Sequence, residues 1–129
     1  MPISYRIDTE RGLIHTTVTE TITIDELIAH KTALLADGQF RPGLRELSDV
    51  RGVTNLALGA PEIRRLASFD ADHAAELGDY RLALVVPEDA VFGMARMYQQ
   101  ITEAHLPGIG VFRSVEQAVE WLGLDAPAK

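Results

Sequence analysis

The sequence predicts a single α/β domain whose elements follow the order ββαβαβαβα. Short apolar segments alternate with longer segments of helical periodicity along the 129 residues. The candidate strand over 80–86 is apolar on both faces, which is typical of a central strand in a parallel sheet covered by helices. We therefore expect a mixed, mostly parallel five-stranded sheet with four helices mainly on one face. This domain is expected to span residues 1–123, with a short C-terminal tail over 124–129.

The first elements are a predicted hairpin and a capped helix. Apolar and polar residues alternate over 3–10 and again over 13–20, with a turn at Arg11-Gly12 between them. The segment TIDE (23–26) is a capping box, in which a threonine oxygen and a glutamate satisfy each other's backbone N–H groups. A helix is expected from there to about Gly38, where the apolar stripe ends.

The remaining elements repeat a strand followed by a helix. Expected strands cover 44–50, 80–86 and 108–113. Expected helices cover 61–77, 88 to about 104, and 115–122. Pro61 suits a first helical turn, and Glu88 suits the positive end of a helix. Residues 51–58, between a strand and a helix, are expected to form a turn-rich connection.

Composition excludes several classes of function. The net charge is −7, with 12 basic and 19 acidic residues, so the chain lacks the basic patches that nucleic acid requires. The chain contains no cysteine, which removes disulfides, thiolate metal sites and cysteine nucleophiles. The longest aliphatic run, LALVV (82–86), is far shorter than the roughly 20 residues of a membrane span. The N-terminal segment has no signal-peptide pattern, so we expect a cytoplasmic protein without stable membrane insertion.

The segment LSDVRGVTNL (47–56) resembles the STAS domains of anti-sigma-factor antagonists, the SpoIIAA-like group. That resemblance implies a strand followed by a turn whose serine is phosphorylated by a partner kinase. Here Leu58 stands at the serine position, and Ala57 at the preceding aspartate, so that switch chemistry is absent from this position. A closer resemblance, which also includes VFGMARMYQ (91–99) and VFRSVEQAVEWLG (111–123), is to an uncharacterised bacterial STAS-like branch. This branch is grouped by architecture with the CRAL-TRIO lipid-transfer domains.

Two sets of residues are candidates for a functional surface. The first set lies on the rim where parallel strands end, because ligands of open α/β sheets bind there; its members are Asp49, Arg51, Thr54, Arg113 and Ser114. Glu88 is expected on the same rim. The structural alternatives are that Asp49 caps a turn, that Arg51 is solvated or paired, and that Ser114 caps a helix. Thr54 is the best exposed of the hydroxyls that could accept a phosphate near this rim.

The second set lies on the third predicted helix and is a candidate partner interface. Its members are Phe92, Gly93, Arg96 and Met97. Phe92 and Met97 lie to the sides of the main apolar stripe and widen it beyond one packing face, which indicates a partner helix or a small apolar pocket. A glycine inside a helix also costs on the order of 1 kcal/mol relative to alanine, which suggests a close approach at Gly93. The alternative is a thicker core, with another element of the same chain packed on the glycine.

The sequence offers little support for catalysis or for a metal. The four histidines lie on different elements, and Asp70 with His73 provides too few ligands for zinc. Nucleophile-elbow, Walker and dinucleotide-binding patterns are absent, so neither an enzyme nor a cofactor is expected. An enzyme that uses Asp49 and a histidine is held in reserve. We expect a non-enzymatic regulatory or protein-interaction module that works with a protein partner or as a homodimer. The alternative is a protein that binds a small amphipathic or anionic ligand at the rim.

Overall fold

The sheet has five strands whose order in space follows their order in the chain. A computed structural model describes residues 2–87 and 89–124. The strands are β1 (Ile3–Asp8), β2 (Leu13–Thr23), β3 (Arg45–Ala57), β4 (Arg81–Val85) and β5 (Ile109–Phe112). β1 and β2 pair in antiparallel orientation, and the other neighbours are parallel. The predicted mixed, mostly parallel sheet is confirmed.

Helices connect the strands and cover both faces of the sheet unequally. They are α1 (Ile24–Ala36), α2 (Ala60–Asp72), α3 (Ala74–Leu77), α4 (Asp89–Thr102) and α5 (Val115–Leu122). Residues of α1, α2 and α4 belong to one apolar cluster with the sheet, which places these helices on the same face. Consecutive right-handed crossovers between neighbouring parallel strands have this result. Helix α5 packs on the opposite face, against Leu13, Leu47 and Val85.

The helix predicted over 61–77 is two helices in the structure. The backbone of His73 leaves the α-helical region, with φ −111° and ψ 14°, and separates α2 from α3. The ring of His73 stacks on Phe69 with 4.1 Å between centroids, and its Nδ1 donates to the carbonyl of Phe69 at 2.8 Å. These local contacts stabilise the break. The described residues therefore form five helices, where the sequence predicts four.

The turn-rich connection predicted over 51–58 is wrong for most of its length, because β3 continues to Ala57. Its pairing with β2 shifts register between Thr17 and Thr19, and again between Glu20 and Thr21. A Cβ atom at Gly52 would lie 2.7 Å from Cγ2 of Thr19, so this glycine permits the close approach of the two strands. Such bulges interrupt the alternation of apolar and polar residues, which hides the strand in the sequence.

The described chain continues past α5 to Leu124. Leu124 donates its backbone N–H to the carbonyl of Val119 at 3.1 Å and packs beside α5. Residues 125–129 of the expected tail, and Glu88 of the expected rim, lie outside the described residues. Within the described ranges, every helix is too short or too polar to cross a bilayer.

Candidate functional site

Asp49 and Arg51 of the expected rim bind each other. Nε of Arg51 lies 2.9 Å from Oδ1 of Asp49, and Nη2 lies 2.9 Å from Oδ2. The backbone N–H of Arg51 also donates to Asp49, so the carboxylate accepts three hydrogen bonds within two residues. Hydrogen bonds from Arg51 hold the pKa of Asp49 below its ordinary value. The structure thus matches the alternative of a locally paired arginine.

Two of the other rim residues, Ser114 and Arg113, also contact groups of the same chain. Ser114 accepts a hydrogen bond from the N–H of Gln117 at 3.2 Å and caps α5. The guanidinium of Arg113 lies 4.5 Å from the ring centroid of Phe92. Thr54 is an exposed residue of β3. None of the five rim residues lines the cavity described below.

The candidate interface on α4 divides between core and surface. Met97 packs against the main apolar cluster, whereas Gly93 and Arg96 are exposed. A Cβ atom at Gly93 would meet no described atom within 4 Å. Packing inside the described part of the chain therefore does not explain this glycine.

A cavity of about 110 Å³ lies between the sheet and helices α1, α2 and α4. Its wall is mostly aliphatic and includes Val18, Leu56, Ile63, Leu84 and Met94. Polar groups are gathered in one part of the lining: Thr16, His30, Lys31, Glu46, Ser48 and Tyr98. Most ligand sites share this composition, an apolar surround with a few placed polar groups.

Glu46 is the centre of the first polar group in this lining. Its side chain is 5% exposed and accepts hydrogen bonds from Thr16 at 2.5 Å and from the hydroxyl of Tyr80. Nε2 of His30 lies 3.5 Å from Oε2 of Glu46. Burial disfavours the charge of this carboxylate, but His30, Lys31 and Thr16 outweigh the burial and hold the pKa of Glu46 below its ordinary value. Glu46 is therefore ionised inside the domain at neutral pH.

Asp70 is the centre of the second polar group; it does not itself line the cavity, but its partners Lys31 and Tyr98 do. Its side chain is 1% exposed, and Nζ of Lys31 lies 3.1 Å from its Oδ1. The hydroxyl of Tyr98 donates to Oδ2 of Asp70, and Lys31 donates to Tyr98 at 3.3 Å. No described residue donates a hydrogen bond to Oδ1, so the ion pair with Lys31 is what compensates this oxygen. Burial opposes the charge of Lys31, but Tyr98, Asp70 and Glu46 more than offset it and raise the pKa of this ammonium.

Ser48 stands apart from both groups because its hydroxyl is unpaired. Ser48 is 5% exposed, lines the cavity, and makes no side-chain hydrogen bond to any other described residue. It follows Glu46 by two positions in β3, so both side chains point to the same face of the sheet. A hydroxyl in the cavity lining can donate to or accept from a ligand atom or a water in the cavity.

The geometry supports binding more directly than chemistry. Serine, histidine and a carboxylate occur together in the cavity, but no hydrogen bond joins Ser48 to His30 as an activated nucleophile requires. The held-in-reserve pair of Asp49 and a histidine is not formed, because Asp49 binds Arg51. The described residues contain no group of three or more side chains suited to a metal ion. Asp70 and His73 are engaged separately, with Tyr98 and with Phe69.

The sequence contained a signal for this site that the rim hypothesis missed. Lys31 occupies the apolar stripe of α1 between Leu27 and Leu34, and Asp70 occupies the stripe of α2 after Leu66. A charged residue at a core-facing helical position requires a buried partner. The spacing alone therefore marked both residues as members of a buried polar cluster.

Two solved structures share this architecture. One is an uncharacterized protein of the DUF3478 family, with a SpoIIAA-like fold, from Shewanella loihica PV-4; it has 16% sequence identity and a TM-score of 0.56, and the match covers 93% of each chain. The other is an anti-sigma factor antagonist from Mycobacterium paratuberculosis, with 16% identity, a TM-score of 0.58 and 94% of each chain covered. No family model and no curated protein matches the sequence. The chain therefore has a SpoIIAA-like fold, as the sequence predicted, and the likeness concerns the fold alone.

Proposed function

We propose that this SpoIIAA-like domain is a non-enzymatic regulatory module that binds a compact amphipathic molecule in the cavity. The observation that carries the proposal is an aliphatic cavity of about 110 Å³ with buried polar groups and an unpaired serine in its lining. An apolar ligand body gains from leaving water, and its polar end finds a partner already inside the domain.

The size of the cavity limits the ligand. An apolar cavity of about 150 Å³ is large enough to bind the six carbon atoms of benzene, so by proportion this one, at about 110 Å³, accommodates a body of roughly four or five carbon atoms. A complete bilayer lipid exceeds that volume several times. Short-chain alkanols are therefore suitable first probes.

The position of Leu58 links the cavity to the switch region of the resembled family. Leu58 follows β3, precedes α2 and lines the cavity. In the resemblance to anti-sigma-factor antagonists, this is the position of the phosphorylated serine. We propose that occupancy of the cavity, and not phosphorylation, changes the surface at the start of α2, where a protein partner then binds.

Filling the cavity tests the proposal. Ala95 lines the cavity from α4, so Ala95→Phe places a ring in the ligand's volume. Ala29 is an exposed residue of α1, and Ala29→Phe adds the same ring outside the cavity. We expect calorimetry with 1-butanol to 1-octanol to show binding to the wild type and to Ala29→Phe, and at least about tenfold weaker binding to Ala95→Phe. Equal binding to both variants contradicts the proposal, and so does a wild type that binds no member of the series.

Self-association through α4 is a second candidate function, and the exposure of one residue favours it. Ile101 is the exposed large hydrophobic residue of the described part of the chain, at 38%. Gly93, Met97 and Ile101 follow each other at intervals of four, so they form one stripe on the helix. A second copy of the chain could pack its own stripe against the open space at Gly93.

Sedimentation velocity distinguishes a dimer from a monomer. We expect Ile101→Ser to weaken a wild-type dimer, whereas Ala29→Ser on α1 leaves it intact. A wild type that stays monomeric at tens of micromolar, or a dimer that Ile101→Ser does not weaken, rules this interface out.

A further inference from the structure

We infer that the cavity selects its ligand by charge: it accepts a neutral or cationic hydrogen-bond donor, such as an alcohol or an alkylammonium, and rejects the matching carboxylate. This inference rests on the proposed function, because it names the chemical class of the ligand for the same cavity. It also chooses between the two ligand types, amphipathic or anionic, that the sequence left open.

The charge that a ligand would meet in the lining is that of Glu46, whose side chain is 5% exposed. The cation of the lining, Lys31, is paired with the buried Asp70, which does not itself line the cavity. A ligand carboxylate would place a second negative charge beside Glu46 in a region of low dielectric, whereas an ammonium would bring a charge of opposite sign.

Lys31 is not available to an anion. Its ammonium lies 3.1 Å from Oδ1 of Asp70 and donates to the hydroxyl of Tyr98 at 3.3 Å. Turning toward a ligand carboxylate would leave Asp70 buried without its cation. That loss is comparable to the attraction gained, so Lys31 does not reverse the preference.

The hydrogen-bonding capacity of the cavity also favours a donor. A carboxylate has about four acceptor sites, and Glu46 uses three of them for Thr16, Tyr80 and His30. The unpaired hydroxyl of Ser48, on the same face of β3, can both accept and donate. A ligand hydroxyl or ammonium can therefore donate to Glu46 or Ser48, whereas a carboxylate finds only the Ser48 hydroxyl.

A matched five-carbon series tests the inference: 1-pentanol, pentylamine and pentanoate, measured by calorimetry at a pH of about 7, where the amine is protonated and the carboxylic acid is ionised. We expect 1-pentanol and pentylamine to bind and pentanoate to bind at least about tenfold more weakly. Glu46→Gln keeps the shape of the side chain and removes the charge, so it should weaken pentylamine and strengthen pentanoate. If Glu46→Gln does not fold, the wild-type series still decides the question.

A serine variant tests the same end of the cavity without changing any charge. Ser48→Ala should weaken 1-pentanol severalfold, whereas Ser68→Ala, at an exposed position of α2, should leave its affinity unchanged. Pentanoate that binds as tightly as 1-pentanol overturns the charge inference and leaves the proposed function standing. A series in which no member binds overturns the proposed function itself.

Discussion

Removal of the buried cation beside Asp70 is expected to destabilise the domain strongly. Lys31→Met keeps most of the side-chain volume and removes the charge that lies 3.1 Å from Oδ1 of Asp70. Asp70, 1% exposed, then retains only the hydrogen bond from Tyr98 to Oδ2. Its Oδ1 already has no hydrogen-bond donor among the described residues, so the ammonium is what compensates that charge.

The magnitude follows from the burial of the two partners. Removing one partner of a buried ion pair costs about 3–5 kcal/mol, because the other charge stays out of water. The side chain of Lys31 is 15% exposed, so some water reaches the site and the lower end applies. We expect a loss of about 3 kcal/mol, which corresponds to a fall in Tm of roughly 10 °C for a domain of this size. This is a large share of the roughly 5–15 kcal/mol that stabilises a typical domain.

Urea unfolding followed by circular dichroism measures this loss, and an exposed ion pair provides the control. Arg65 lies 3.5 Å from Asp25, with side chains 60% and 83% exposed. Arg65→Met removes a cation in the same way, and its unfolding midpoint should stay close to that of the wild type, because exposed pairs contribute little. The double variant Lys31→Met/Asp70→Asn removes both charges and should recover at least half of the loss.

Two results would refute this reasoning. Equal losses of unfolding free energy in Lys31→Met and Arg65→Met would mean that the pair is solvated. A double variant that loses the sum of the losses of Lys31→Met and Asp70→Asn would mean that the two residues stabilise the domain independently.

Two further predictions concern the backbone and the pH. Gly52→Ala should cost about 1–3 kcal/mol of unfolding free energy, because its Cβ would lie 2.7 Å from Cγ2 of Thr19. Gly93→Ala should be neutral or stabilising by up to about 1 kcal/mol, because its Cβ meets no described atom within 4 Å and the position is inside a helix. Equal effects of the two substitutions in urea unfolding contradict the prediction. The lowered pKa of Glu46 gives stability that is present above the ordinary value of 4.5 and is lost as pH falls. Burial raises the pKa of Tyr98, which gives stability that is present below the ordinary value of 10.0 and is lost as pH rises. Unfolding free energy measured by urea should therefore decline at both ends of a series from about pH 3 to pH 11, and an alkaline end without decline would refute the contribution of Tyr98.

The fold was predictable because most of its elements carry local signals. The capping box at Thr23 and the cap at Ser114 form as expected, since both depend on residues within one helical turn. The second half of β3 was not predictable, because its bulges at β2 change which residues face the core. The alternation that marks a strand assumes an unbroken ladder, and Gly52 lies where the ladder is broken.

The candidate site was less predictable, for a different reason. Polar residues at the ends of strands are visible in the sequence, and Asp49 with Arg51 is an example. In the structure these two residues bind each other. The buried cluster joins residues from separate elements, as with Glu46 and Tyr80, which are 34 positions apart. The sequence shows that Lys31 and Asp70 need partners but does not say that they are partners of each other.

Stability alone gives no reason to keep this cluster. Well-packed apolar residues in place of a buried ion pair are often as stabilising. The cluster does, however, join four elements. Glu46 of β3, Lys31 of α1 and Tyr98 of α4 line the cavity, and Asp70 of α2 holds Lys31 and Tyr98 from outside the lining. On the proposed function, a change of charge or hydrogen bonding beside Ser48 acts on all of these elements together. On that proposal, Leu58, which lines the cavity and precedes α2, gives a small molecule a route by which it can alter the start of α2.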